Sequence, residues 1–274
     1  MAIRLVAIDI DRTLLNDRRE LSPANESALR DLVERGISVA LCSGRDLPST
    51  QAISAPLGLP LWLVVQNGSL VIDPSGNAAY LCSMEKPTAL AVLDILERHG
   101  LAPVVYEVYP RAHCLWWQTG ARAAPGMIEF RTQHGAQVTH VEDIRSVLTP
   151  EVSHLEVFDD ADRVVRAGQD FATLDEVVAI TNMSSSVVGS ALMGLYPRGT
   201  AKEEALARVC DVLRISRTEV LAIGDNLNDV GMVRWAGIGV MMANGPEEAR
   251  LEADWVAPSN NENGVAVAVE RFTK

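Results

Sequence analysis

Apolar positions come in short solid blocks early in the chain, separated by stretches in which they recur with helical spacing. The block Ile3-Arg4-Leu5-Val6-Ala7-Ile8 is rich in Ile, Leu and Val, the pattern of a strand buried on both faces in a parallel sheet. Ser22-Pro23 then reads as an N-cap with proline at the first helical position. Ala28, Leu29, Leu32 and Val33 form an apolar stripe behind it, and Gly36 closes the helix. Ile37 to Cys42 is a second buried strand and Leu61 to Val65 a third. The third is followed by the turn Gln66-Asn67-Gly68-Ser69 and a returning Leu70-Val71-Ile72. Repeated strand–helix–strand order predicts a parallel sheet with right-handed crossovers.

The pattern changes at about Ser83. Helical stretches near Lys86–His99 and Pro125–His134 are separated by strand-like pieces, Cys114 to Trp117 and His154 to Phe158. Tyr106, Tyr109, Trp116 and Trp117 gather here, the makings of a small α+β core. The first pattern resumes with a helix from Ala201 to Leu213, a strand Val220 to Ile223, a helix carrying Met232 and Val233, and a strand Gly237 to Met242. Asn244-Gly245-Pro246 opens another helix, and Val265 to Phe272 forms the last. The expectation is an α/β protein with a doubly wound, Rossmann-like parallel sheet. It is split as 1–82 and 196–274 by a smaller α+β domain at 83–195. No internal repeat or low-complexity segment interrupts this organisation.

At 274 residues and 48% hydrophobic, the chain can bury a substantial core. A net charge of −12 argues against nucleic acid or an anionic membrane as the main partner, since both need clustered Lys and Arg. A phosphorylated substrate would have to be held by local devices: a cation, a lysine or backbone N–H groups. Cys42, Cys82, Cys114 and Cys210 show no C-x-x-C spacing, and Cys42 and Cys210 lie in apolar segments, as buried reduced thiols do. The amino terminus does not read as a signal peptide and no apolar run reaches membrane-spanning length, so a cytoplasmic setting is expected.

The chemistry sits where strands run out. Asp9 and Asp11 follow the first strand, and side-chain alternation would point both the same way at its carboxyl end, where ligands of α/β sheets collect. Two carboxylates that close repel, which calls for a divalent metal between them; the bland alternative is a loop with two solvated aspartates. Ser43-Gly44 follows the second strand, Lys202 opens a helix, and Asp225 with Asp229 follows the strand that begins at Val220. Each is weak alone. Together, in this order and each after its proper element, they are a strong signal.

The constellation resembles the haloacid dehalogenase-like hydrolases, and within them the Cof-type branch, over essentially the whole chain. D-x-D-x-T is Asp9-Ile10-Asp11-Arg12-Thr13, the Ser/Thr motif is Ser43, the lysine motif is Lys202, and G-D-x-x-N-D-x-x-M runs from Gly224 to Met232. Ser43-Gly44-Arg45 is similar to the branch's T-G-R, and Asn67-Gly68 to its N-G step. Two departures stand out: Arg12 replaces a common glycine and puts a cation beside Asp11, and Glu203 replaces the glycine that often follows the lysine.

The resemblance implies a phosphatase with Mg²⁺ as cofactor and a small phosphorylated metabolite, a sugar phosphate or phosphorylated cofactor, as partner. Asp9 would be the nucleophile that forms an aspartyl phosphate, and Asp11 the acid and base. Asp9, Asp225 and the backbone carbonyl of Asp11 would hold the metal, with Asp229 orienting a metal-bound water or Lys202 from outside. Ser43, Gly44, Lys202 and Asn228 would bind the phosphate, Asn228 having helix capping as its plainer alternative. The insert would be a substrate-selecting cap, with His113, Trp117, Arg122 and His154 as candidate contacts. Phosphomutases share all four motifs, a phospho-switch receiver shares the Asp, Ser/Thr, Lys and Mg²⁺ set in about half this length, and a catalytically idle phosphate binder is the third alternative.

Overall fold

The computed structural model describes residues 2–111, 115–134, 138–183 and 187–274; His113 and Cys114 lie outside them. The chain opens with β1 (Leu5–Asp9), α1 (Pro23–Glu34), β2 (Ser38–Cys42), α2 (Leu47–Ser54), β3 (Trp62–Val65), β4 (Leu70–Ile72) and β5 (Ala78–Leu81). Ser22 caps α1 by accepting the Asn25 N–H at 3.2 Å, and Asp46 caps α2 by accepting that of Ser49 at 3.0 Å. The middle holds β6 (Met84–Glu85), α3 (Lys86–Arg98), β7 (Val104–Tyr106), β8 (Leu115–Gln118), α4 (Pro125–His134) and β9 (Val138–Val141). It continues with β10 (Glu151–Val152), β11 (His154–Asp160), α5 (Ala161–Phe171), β12 (Val177–Met183) and β13 (Ser190–Pro197). The chain ends with α6 (Lys202–Leu213), β14 (Val220–Gly224), α7 (Val230–Trp235), β15 (Ile238–Met242), α8 (Glu247–Arg250), β16 (Trp255–Ala257) and α9 (Gly264–Thr273).

These elements form two compact units, Met1–Leu81 with Ala201–Lys274, and Cys82–Thr200. In the first, an eight-stranded sheet runs β16-β15-β14-β1-β2-β3-β4-β5. It is parallel from β16 through β3, and β4 and β5 extend it antiparallel. All five residues of β1 are buried, as a solid apolar block requires. Leu5 and Ala7 pack with Ala205, Leu206 and Val209 of α6 and Met232 of α7. Val6 and Ile8 point to the other face and are equally buried; α1 packs on β2 there, and α9 on β14 and β16. The register sets Ile8 beside Ile223 and Asp9 beside Cys42, so the carboxyl ends of β14, β1 and β2 lie side by side. The edge strands β5 and β16 are less buried than the central strands, since edges are only half covered.

The second unit is a six-stranded sheet, β12-β13-β11-β7-β8-β9, antiparallel except for β8 with β9. Helices α3 and α5 bury one face on Val105, Leu155, Val157, Met193 and Leu195. Met127 and Phe130 of α4 meet Tyr106, Leu115 and Trp117 on the other. Cys42 and Cys210 are buried free thiols, and Cys82 is a half-buried one.

Candidate active site

Asp9 is the last residue of β1 and is buried. The strand does not continue to Asp11. Ile10–Leu14 is an irregular wide turn in which Asp11 is extended (φ −76°, ψ 122°) and Arg12 left-handed (φ 61°, ψ 11°). Alternation along one strand therefore does not relate the two aspartates, which corrects the expectation that they share a face. The Asp11 side chain is 48% exposed, against 8% for Asp9. It accepts two bonds from Arg45, Nε to Oδ2 at 2.7 Å and Nη2 to Oδ1 at 2.6 Å. The cation beside Asp11 is thus Arg45, reached through the fold; Arg12, its sequence neighbour, makes no ion pair among the described residues. Holding a non-glycine residue left-handed costs about 1–2 kcal/mol, which marks position 12 as one where glycine would sit unstrained.

Lys202 is the first residue of α6, and its side chain is 1% exposed. Its Nζ donates to Asp9 Oδ1 at 2.7 Å and to Asp229 Oδ1 at 2.6 Å. Burial pulls the proton affinity of the amine down, and the Asp229 and Asp9 carboxylates more than reverse this, so the ammonium is held charged. Its backbone is placed by Gly68: a Cβ there would stand 2.3 Å from the Ala201 carbonyl oxygen, and φ is +102°. The N-G step after β3 is needed for conformation and for clearance at once.

The other Asp229 oxygen, Oδ2, accepts the N–H groups of Asp225 at 3.0 Å and Asn226 at 3.1 Å. Gly224 makes room for it, since a Cβ there would lie 2.4 Å from the Asp229 Cβ. Asp225 Oδ1 accepts the Thr13 hydroxyl at 3.1 Å. Burial, then Asp229, push the Asp225 carboxyl up to about 6 against the pull of Thr13, Arg12 and Lys202. Asp9 is raised well above the ordinary carboxylate range, first by burial and then by Asp229.

Asp9, Asp225 and Asp229 each offer a carboxylate oxygen within 4.8 Å of the others, and all three are buried. Three carboxylates against one ammonium leave two negative charges in excess in a dry place, which fits a hard dication such as Mg²⁺. Asp229 belongs to this group directly, as well as orienting Lys202.

Ser43 is buried just beyond β2, and its hydroxyl accepts the Arg45 N–H at 3.1 Å. The turn after β3 holds this loop, Gln66 N–H donating to the Arg45 carbonyl at 2.8 Å and Asn67 N–H to that of Ser43 at 3.0 Å. Gly44 faces the Asn67 amide so closely that a Cβ would be 3.1 Å from Asn67 Oδ1. Asn228 is not a cap. Asn226 caps that turn, accepting the Leu227 N–H at 2.8 Å, and the half-buried Asn228 amide bonds no other group among the described residues.

Of the candidate contacts in the insert, His113 lies outside the described residues and Trp117 is buried in the α4-side core. Arg122 is paired with Asp159 and Asp160. His154 is buried between the rings of Tyr106 and Tyr196, with centroids 4.0 and 4.7 Å away, and Glu156 lies beside it. Burial pulls Glu156 up, and His154, Tyr106 and Tyr196 together hold it below the ordinary range. Thr13 and Arg45 lie inside the D-x-D-x-T and Ser43-Gly44-Arg45 motifs, but nothing local to them reveals their partners Asp225 and Asp11. Asn244, whose amide reaches both Arg12 and Asp225, carries no signal in the sequence beyond the opening of a helix after a strand.

Residues 6–269 match the family model described as haloacid dehalogenase-like hydrolase. The chain belongs to this family. This hydrolase is 29% identical to phosphatase YwpJ of Bacillus subtilis, over 96% of its own length and 98% of that protein's. It is 27% identical to the 5-amino-6-(5-phospho-D-ribitylamino)uracil phosphatase YcsE of the same organism, over 98% and 96%. Its fold matches the crystal structure of a haloacid dehalogenase-like hydrolase from Bacteroides thetaiotaomicron with a TM-score of 0.83, covering 98% and 99% of the two chains at 23% identity. It is an enzyme, a phosphatase of the Cof type. No helix among the described residues is long and apolar enough to cross a membrane.

Proposed function

We propose that the hydrolase is a Mg²⁺-dependent phosphatase that cleaves a small phosphomonoester through an aspartyl phosphate on Asp9. The observation that carries this reading is the buried Asp9–Lys202–Asp229 bridge with Asp225 beside it, two negative charges in excess at adjoining strand ends. Asp9, Asp225 and, following the family, the backbone carbonyl of Asp11 would hold Mg²⁺. When bound, the ion supplies positive charge for the transferring oxygens.

The steps at the chain's own atoms follow. A carboxylate oxygen of Asp9 attacks phosphorus, the P–O bond to the leaving group breaks, and Asp11 gives the departing oxygen a proton. Water then attacks the aspartyl phosphate, Asp11 takes a proton back, and inorganic phosphate leaves with Asp9 regenerated. The partial exposure of Asp11 suits this exchange with substrate and water. Ser43, the Gly44 N–H, Lys202 and the unpartnered Asn228 amide are assigned to the transferring oxygens. Asp229 keeps the Lys202 ammonium charged and aimed.

The activity for which YcsE is named, on a phosphorylated ribityl compound, supports a sugar phosphate or phosphorylated cofactor as the substrate class. Hydrolysis is preferred to phosphoryl migration because the relatives are named as phosphatases. The test is acid-quenched turnover of an aryl phosphate with Mg²⁺, followed by mass spectrometry. The wild type should release phosphate repeatedly and carry one phosphoryl group on Asp9, whereas Asp9→Asn should fold yet lose turnover by about three or more orders of magnitude. Near-normal turnover by Asp9→Asn would exclude the mechanism.

A further inference from the structure

The turn after β1 is held through its carbonyl groups by asparagine side chains from elsewhere in the same unit. Asn25 Nδ2 donates to the Leu14 carbonyl at 3.0 Å and accepts the Ala266 N–H on Oδ1 at 3.1 Å. Asn260 Nδ2 donates to the Leu15 carbonyl at 3.1 Å. Asn244 is the third, with Nδ2 donating to the Arg12 carbonyl at 2.9 Å and lying 3.5 Å from Asp225 Oδ2. Its own Oδ1 accepts the Asn260 N–H at 2.9 Å, so both ends of the amide are engaged. The loop carrying it is pressed onto the end of β14: a Cβ on Gly245 would stand 2.2 Å from the Asp225 carbonyl oxygen.

Asn244 differs from the other two in what it joins. Asn25 and Asn260 anchor the far end of the turn. Asn244 ties the one left-handed residue of the turn, Arg12, to the Asp225 carboxylate. An arginine has no intrinsic reason to stay at φ 61°; it persists there only where surrounding contacts demand it. The donor on its carbonyl is such a contact. Releasing it lets the backbone relax toward ordinary angles, which moves the Asp11–Arg12 peptide and, with it, the carbonyl next to Asp9. The Asp225 Oδ2 loses its neighbouring amide in the same event, leaving the Thr13 hydroxyl on Oδ1.

We propose that Asn244 is a positioning residue of the metal centre: by clamping Arg12 in the left-handed conformation and flanking Asp225, it sets the spacing of the groups that receive Mg²⁺. The inference rests on the metal reading given above. Partners one step removed from a metal commonly change affinity about 10–100-fold when removed.

The experiment measures the Mg²⁺ concentration that gives half of the maximal thermal stabilisation, with no substrate present. The proteins are the wild type, Asn244→Ala, Arg12→Gly, the double variant and Asn25→Ala. Asn244→Ala should raise that concentration by about tenfold or more, while Asn25→Ala, which loosens the turn away from the metal, should lower the melting temperature and leave it unchanged. In the Arg12→Gly background, where glycine holds the left-handed angles without a clamp, most of the Asn244→Ala loss should vanish. Asn244→Ser, too short to reach Arg12, replaces the alanine variant if that one does not fold. An unchanged half-saturating concentration in the Asn244 variant overturns the proposal. An equal loss with and without Arg12→Gly, or the same shift from Asn25→Ala, overturns it too. A wild type that Mg²⁺ does not stabilise removes the metal reading itself, and the clamp with it.

Discussion

Replacing Lys202 with methionine keeps most of the side chain's volume and apolar stem while deleting its charge. The Nζ is the donor that joins Asp9 to Asp229, at 2.7 and 2.6 Å, from a position 1% exposed. With it gone, three buried carboxylates face one another without the ammonium between them. Removing one partner of a buried ion pair costs about 3–5 kcal/mol, and a unit of this size loses about 2–4 °C of melting temperature per kcal/mol. Without metal, Lys202→Met should therefore melt about 6–20 °C below the wild type on those two scales. The cost arises from the charges left behind, so removing one of them as well should return part of it. Lys202→Met with Asp229→Asn should be less destabilised than the sum of the single variants by about 0.5–3 kcal/mol, the range for residues in direct contact. Added Mg²⁺ should rescue Lys202→Met by more degrees than it adds to the wild type, since the variant site has a larger charge for the ion to cancel. Calorimetry of the four proteins in chelator and in excess Mg²⁺ measures all of this. A Lys202→Met protein that melts with the wild type in chelator, or single effects that add in full, would show that Lys202 does not carry the electrostatics of the site.

Two further outcomes follow from the same geometry. Asp225, pushed up to about 6 by burial and by Asp229, and Asp9, raised well above the ordinary carboxylate range, must both be ionised to ligate, so protons compete with the metal: Mg²⁺ affinity should fall as the pH drops through about 6, by about tenfold per unit or more, and titrations at several pH values that show no such fall would refute the assignment. Gly68→Ala should strain a backbone at φ +102° and drive a methyl into the Ala201 carbonyl, lowering stability by about 1–3 kcal/mol and depressing kcat on every phosphate ester together, because Lys202 shifts with Ala201; a variant with altered preference among esters and normal kcat on one of them would contradict this.

Hydrophobic pattern alone defines much of this protein. The all-apolar β1, the Ser22-Pro23 start of α1 and the solid block of β14 are local facts, since period and capping depend only on neighbours in sequence. So is the order of the motifs at the ends of those strands. Asp11 shows the limit of local reasoning. Alternation holds only while a strand lasts, and nothing in the residues Ile10-Asp11-Arg12 announces that it stops at Asp9, because an arginine at a left-handed position leaves no signature where a glycine would have. The partners of the charged groups were beyond reach for a different reason. Lys202 meets Asp9 across 193 positions and Thr13 meets Asp225 across 212, because β1 is inserted between β14 and β2 in the sheet. Strand order is a global choice among packings, made by burying both faces of the whole sheet at once. Sequence therefore determined which residue types stand at strand ends, and only the tertiary structure decided which of those ends are neighbours, which carboxylates share the lysine, and which arginine Asp11 faces.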